Sequence, residues 1–176
     1  MYLSDSNDEV LQVAKENYER NSVQADTVYS DLYGSFASEE FDLIAVHPPA
    51  VPYPVGKDWG MSKGMRFATH GGADGSTLVT RSISESSRCL KPEGKFLLLL
   101  PHWSNIKKAW EELRKWYAEV KEITKTKVDF FPVNEGRPNK ELIQHVKELS
   151  EQGIIEMDFQ RESVTSFVSV IEGTKK

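Results

Sequence analysis

Two short apolar runs constrain this chain more than anything else in it. They are Phe41-Asp42-Leu43-Ile44-Ala45-Val46 and Phe96-Leu97-Leu98-Leu99-Leu100. Both are too short for a buried helix, and proline follows each closely, at Pro48-Pro49 and at Pro101. Near-continuous runs of that length predict strands covered on both faces, as in a parallel sheet flanked by helices.

The sequence around them supplies the helices. Ser6-Asn7-Asp8-Glu9 reads as a helix start, with Ser6 as cap and the acids at the positive end of the dipole. Val10, Leu11, Val13, Ala14 and Tyr18 keep helical spacing. Ala25 to Tyr29 is strand-like, and Asp31-Leu32-Tyr33-Gly34 turns out of it. Ala50 to Gly75 is a long loop rich in proline and glycine, a feature that compact domains keep for function. Ser76 should cap the next helix, whose buried face is Leu78, Val79, Ile83 and Leu90. Lys91-Pro92-Glu93-Gly94 reads as a tight turn into the second apolar strand. A helix is expected from Ile106 to about Val120, a strand from Lys127 to Val133, and a helix from Asn139 to a Gly153 C-cap. Ile154–Phe159 and Val164–Ile171 should close as an antiparallel hairpin. Tyr2-Leu3 looks like the end of a strand. This alternation predicts an α/β fold with a mostly parallel, helix-covered sheet and an antiparallel C-terminal strand.

Composition narrows the function classes. Among 176 residues, 27 Asp+Glu outweigh 22 Lys+Arg, giving a net charge of −5. That balance does not indicate nucleic acid, although Lys57, Trp59, Lys63 and Arg66 make one loop locally basic. One cysteine, Cys89, allows neither an internal disulfide nor a zinc cage, which fits a cytoplasmic protein. No apolar run approaches the ~18 residues of a membrane span, and no signal peptide opens the chain. His70, His102 and His145 show no metal-ligand spacing, so no metal site is expected.

In helix-covered parallel sheets, ligands bind beyond the carboxyl ends of the strands. The residues to inspect are therefore Asp5, Asp31, His47 and Pro101. Asp5 could accept hydrogen bonds from ribose hydroxyls or simply favour the helix dipole. Asp31 could accept a purine amine, with Leu32 on the ring, or could form an Asx turn. His47-Pro48-Pro49-Ala50 is the most informative segment. Two prolines remove backbone donors and stiffen an extended chain, leaving carbonyls free to hold an amino group. Gly71-Gly72-Ala73-Asp74-Gly75 precedes a helix and reads as a hinge rather than a phosphate loop.

With these residues in place, the chain resembles the class I S-adenosylmethionine-dependent methyltransferases. The likeness is to the branch with an Asn-Pro-Pro-Tyr motif, which includes the release-factor glutamine methyltransferases. It rests on Tyr2-Leu3-Ser4-Asp5-Ser6, Tyr29-Ser30-Asp31-Leu32-Tyr33, Phe41 to Ala50, Gly72-Ala73-Asp74-Gly75 and Arg88 to Leu98, and covers about residues 1 to 105. The resemblance implies a single Rossmann-like domain over 1–176 that uses S-adenosyl-L-methionine to methylate a nitrogen or other nucleophile of an unidentified acceptor. Asp5 and Ser6 would hold the cofactor's ribose, and Asp31 with Leu32 its adenine. His47, Pro48, Pro49 and Ala50 would receive the group to be methylated, with His47 also beside the cofactor.

Two positions depart from that branch: His47 replaces its Asn, and Ala50 its aromatic residue. The family's first strand and glycine-rich turn also precede its ribose acid, and here only four residues precede Asp5. The expectation is a sheet without its N-terminal strand, completed by a partner or an upstream segment. The alternative function is a catalytically inactive methyltransferase-like domain serving as a binding or scaffold subunit. A dehydrogenase fits less well, because the glycine fingerprint is absent. Residues 130–153 are expected to form a lid or substrate wall.

Overall fold

The computed structural model describes residues 1–53, 62–130, 133–134, 137–138, 140–160 and 164–176. The element order is β1 (Tyr2–Asp5), α1 (Asp8–Arg20), β2 (Asp26–Tyr29), β3 (Phe41–Val46), α2 (Lys63–Thr69), α3 (Thr77–Cys89) and β4 (Leu90–Pro101). There follow α4 (Ile106–Trp116), β5 (Tyr117–Asp129), the short pair β6 (Val133–Asn134) and β7 (Arg137–Pro138), α5 (Lys140–Glu151), β8 (Met157–Phe159) and β9 (Val164–Lys175).

The main sheet has the order β3-β4-β9-β5, with β8 also on β9. β3 and β4 are parallel, and β9 lies antiparallel between β4 and β5. β3, β4 and β5 therefore run one way, and β9 is the reversed strand. β1 and β2 form a separate parallel pair. The fold is the expected α/β architecture, mostly parallel in strand direction with an antiparallel C-terminal strand.

The core forms on one face of the main sheet. Ile44, Phe96, Leu98 and Leu100 pack against Val79 and Ile83 of α3 and Ala109 and Leu113 of α4. The Tyr117 ring stacks on Phe96 with centroids 5.3 Å apart, and its hydroxyl lies 2.7 Å from Ser86 Oγ. Alternate residues of a strand face opposite sides. On the other side Leu43 is 55% exposed, Ala45 is exposed, and Leu97 and Leu99 are half-buried. This corrects the two-face burial expected for Phe41–Val46. The apolar run reflects a strand that is covered on one face by α3 and α4.

Several boundaries also differ from expectation. α4 ends at Trp116 and β5 starts at once. The helical spacing of Tyr117 and Val120 is coincidental, and Val120, Ile123, Thr124, Thr126 and Val128 prefer the extended chain. β5 is the sheet edge, and its Glu119, Lys121, Glu122, Lys125 and Lys127 are the charges that guard such edges. The 91–94 turn is absorbed as an irregularity in β4, with Glu93 at φ +64°. Register passes from Phe41–Leu90 to Leu43–Lys95 across it. The loop over 50–75 contains a helix, α2, capped by Ser62 through Met65 N–H. α1 is capped by Asn7 rather than Ser6, its Oδ1 accepting from Glu9 N–H at 3.0 Å. Gly153 ends α5 with φ +68°, as expected. Among the described residues no helix is long and apolar enough to cross a membrane.

A Cβ on Gly173 would stand 2.8 Å from the Tyr117 ring, which its stack on Phe96 holds in place. Gly173→Ala should therefore lower stability by about 1–3 kcal/mol in chemical denaturation. An unchanged midpoint would show that the ring can move.

Candidate active site

A cavity of about 1900 Å³ lies between the β1–β2 pair and β3. Its wall includes Asp5, Ser6, Asp31, Leu32, His47, Pro48 and Pro49, which the sequence had singled out at three strand ends. Aromatic rings join the strand starts at the opposite end. Tyr2, Phe36 and Phe41 form a triangle of edge contacts with centroids 5.1 to 5.9 Å apart.

Asp5 caps the end of β1. Its Oδ1 accepts from Asn7 N–H at 2.9 Å, while Oδ2 has no partner among the described residues. One carboxylate oxygen is thus fixed and the other stays available for a hydroxyl donor. Asp31 follows β2 differently. The Arg81 guanidinium of α3 donates to Oδ2 at 3.1 Å and to Oδ1 at 3.5 Å, and also to Glu85 at 2.9 Å. Leu32 holds φ +50°, a strained value for a branched side chain, and packs against the main core. Gly34 N–H donates to Asp31 carbonyl at 3.1 Å and closes the turn.

His47 opens onto the cavity, and the packing around it pushes its imidazole below the usual pKa by desolvation. The ring is accordingly neutral at pH 7 and keeps one lone pair. The Pro48 and Pro49 carbonyl oxygens take no hydrogen bond from any described residue.

Ala50 sits elsewhere. It is 4% exposed, belongs to the main core and is absent from the cavity wall. Gly71 and Gly75 pass directly over it; a Cβ on Gly71 would stand 2.7 Å from Ala50 Cα. A larger residue at 50 has no room under that loop. Tyr53, which could have replaced the missing aromatic, is 3% exposed in a second core beneath α5. It stacks on His70 at 5.3 Å, and His70, not Tyr53, reaches the cavity.

The loop's closure depends on Asp74. It accepts from Ser76 N–H at 3.1 Å, Ser76 Oγ at 2.6 Å, Asn105 Nδ2 at 2.9 Å and Lys108 Nζ at 2.7 Å. Ser76 makes no side-chain cap bond to α3 itself. Burial alone would raise the Asp74 pKa; the bonds from Lys108, Ser76 and Asn105 outweigh it and hold the carboxyl well below the usual range.

Arg66, Phe67, His70 and Arg81 line the cavity without having been assigned to it from sequence. Their signal was hidden because 63–69 read as loop, and Arg81 points across the chain rather than along it. Of the basic-loop residues, Lys57 and Trp59 and the Lys63 side chain lie outside the described residues. His102 is buried in the sheet, 2.6 Å from Glu156 and 2.8 Å from Ser169 Oγ. His145 bonds the Ala73 carbonyl at 2.8 Å. No His/Cys/Asp/Glu cluster among the described residues could hold a metal. None of the described residues within 130–153 lines the cavity; Phe130 and α5 pack on Tyr53 and Trp103.

Asp74→Asn should cost about 1–3 kcal/mol at pH 7. Because the folded pKa is depressed, that advantage belongs to pH above the ordinary carboxylate range and is lost as pH falls. Denaturation of both proteins should show the gap narrowing from pH 5 to pH 2, and a constant gap would refute the ionic role.

Comparison with known proteins gives a consistent picture. No family model matches the chain. A Methanocaldococcus jannaschii protein provisionally named a protein N5-glutamine methyltransferase is 29% identical over 126 residues, 72% of this chain. The match spans 62% of that protein's length. Two solved Bacillus structures share the fold at 15% identity, each covering 99% of this chain and 82% of its own. They are the YcgJ protein of Bacillus subtilis, with a TM-score of 0.63, and a protein of Bacillus halodurans described as a methyltransferase, at 0.57. The tRNA (m1A58) methyltransferase TrmI of Aquifex aeolicus matches at 0.50, with 11% identity over 99% of this chain and 53% of its own. Strand order, helix placement and these neighbours together give the chain the Rossmann-like fold of class I methyltransferases.

Proposed function

We propose that this chain is an S-adenosylmethionine-dependent methyltransferase domain that acts on a nitrogen nucleophile. One observation carries the reading: Asp5, Asp31 and His47-Pro48-Pro49, from the carboxyl ends of three strands, meet at a single cavity. The likeness to a glutamine methyltransferase favours an amide nitrogen of a protein as acceptor.

The wall fits the nucleoside half of the cofactor. The uncommitted Asp5 Oδ2 suits ribose hydroxyls, and Leu32 offers an apolar surface beside Asp31. Arg81 must share or release Asp31 before that carboxylate can accept a purine amine. When bound, S-adenosylmethionine supplies an electrophilic methyl group on a sulfonium sulfur. The protein's part is positioning, which can supply most of the rate of a direct displacement. Neutral His47 accepts one N–H of the acceptor, and the Pro48 carbonyl, which takes no hydrogen bond from the described residues, can take another. Both turn the nitrogen lone pair toward the methyl carbon. His70 and Phe67 give a planar acceptor a surface in place of the aromatic that Ala50 lacks.

The second reading is a methyltransferase-like subunit without activity. The burial of Ala50 and the Arg81–Asp31 pair favour it.

Calorimetric titration with S-adenosylmethionine tests the first step. Binding should be saturable below 1 mM and weaken about tenfold or more in Asp5→Ala, the cost of a charge-assisted hydrogen bond. Absence of binding at that concentration would count against the reading. Cofactor binding without methyl transfer to a glutamine peptide would favour the inactive subunit.

His47 gives a pH signature. A depressed imidazole pKa keeps it neutral down to below pH 6.5, so acceptor binding should fall on the acid side of that value. In His47→Asn that limb should vanish. An identical pH profile in both proteins would remove His47 from the role.

A further inference from the structure

A chain of hydrogen-bonded side chains lies away from the cavity, just past the end of β4. His102 is 4% exposed, and Ser169 of β9 is fully buried. The His102 ring spans two partners: Nδ1 lies 2.6 Å from Glu156 Oε2, and Nε2 lies 2.8 Å from Ser169 Oγ. Ser169 Oγ in turn donates to Glu122 Oε1 of β5 at 2.5 Å. Lys125 of β5 donates to both Glu156 oxygens, at 2.9 and 3.1 Å, and its ammonium stands 4.2 Å over the Phe167 ring. Among the described residues, the charged groups around the ring are thus Glu156 from the α5–β8 connection and Glu122 and Lys125 from β5. β9 offers Ser169 and the Phe167 ring. One pair further out, Lys127 and Asp158 bond each other at 3.2 Å.

The protons of this chain can be counted. A hydroxyl has a single proton to donate, and Ser169 gives it to Glu122. Ser169 Oγ therefore accepts from His102, and Nε2 must carry a proton. Glu156 takes two bonds from Lys125, which marks it as an ionised acceptor, so Nδ1 must carry a proton as well. Burial would raise the Glu156 pKa; the bonds from His102 and Lys125 outweigh it and hold the carboxyl below the usual range. A proton on Glu122 in place of one on the ring would also complete the chain. Glu122 is exposed, however, and an exposed carboxyl is ionised at neutral pH.

We propose that His102 is a buried imidazolium donating from both ring nitrogens, and that it acts as a proton-controlled latch between the main sheet and the α5–β8 segment. Backbone bonds meet at the same place: Glu156 N–H donates to the His102 carbonyl at 2.8 Å, and Ser166 Oγ to the Glu156 carbonyl at 2.6 Å. α5 and Ile155 complete the second core around Tyr53, whose ring stacks on His70 of the cavity wall. The latch therefore holds the backing of that wall. When it opens, the ring enters water and, above the ordinary imidazole value of about 6.5, releases one proton to solvent. Both carboxylates stay ionised. The latched form thus holds one proton more than the open form. Its advantage is complete below about pH 6.5 and falls about tenfold per pH unit above it.

Nitrogen NMR of the whole chain, labelled in its histidines, reads the ring directly. At pH 7 His102 should show two nitrogen-bound protons, and a single one would overturn the proposal. In Ser169→Ala, Nε2 loses its acceptor and one ring proton should remain. Hydrogen exchange, corrected for intrinsic rates, reads the latch. Protection of the Glu156 amide should fall about tenfold per unit from pH 7 to pH 8.5, while residues 96–100 of β4 keep theirs. In Ser169→Ala that slope should vanish. A Glu156 amide indifferent to pH, the same slope throughout β4, or an undiminished slope in Ser169→Ala would each overturn the latch. Both readouts on the unaltered chain decide the matter even where the variant fails to fold.

Discussion

The whole structure rests on the pairing and burial of β4. It is hydrogen-bonded to β3 on one side and to β9 on the other. Phe96, Leu98 and Leu100 are fully buried beneath α3 and α4. Full burial of each such side chain contributes about 1.5–3 kcal/mol. Every functional position is measured from this strand. It sets the height of β3, whose end presents His47, and its own end leads through Ser104 and Asn105 to the Asp74 pin.

That pin explains the unusual chain path after the two prolines. Val51 N–H bonds Thr69 carbonyl at 2.9 Å, Gly71 N–H bonds Val51 carbonyl at 2.8 Å, and Tyr53 N–H bonds Gly72 carbonyl at 2.8 Å. The segment after His47 is thus stitched to the segment before α3, and Ala50 is trapped where they cross. The cavity wall and the second core are two sides of this one crossing, with His70 on the first and Tyr53 on the second.

Much of this could be read from the residues. The extent of β3, the α5 cap at Gly153, the terminal hairpin and the strand-end acids are local signals, set by hydrophobic period and by glycine and proline. What escaped is set by partners distant in sequence. Whether β3 is covered on one face or two depends on which helices pack there. Tyr117 and Val120 satisfy a helical period and a strand period equally, and only the neighbouring β9 decides. Arg81 reaches Asp31 across fifty positions, so no spacing rule could find it. The burial of Ala50 follows from two glycines more than twenty residues later.

The two-part sheet has a consequence for how the molecule opens. β1, α1 and β2 contact mainly one another. They are fastened to the rest by the contacts of Tyr2 with Phe36 and Phe41, and through the turn after β2, which is held by the exposed Arg81–Asp31 pair and by Arg88 donating to the Phe36 and Tyr33 carbonyls at 2.9 and 3.0 Å. An exposed ion pair adds at most about 1 kcal/mol. Residues 2–29 are therefore held to the β3-β4-β9-β5 sheet by few side chains. Asp5, proposed for the ribose, sits on that lightly fastened part and His47, proposed for the acceptor, on the main sheet, so loosening the first would take apart one half of the proposed site and leave the other standing.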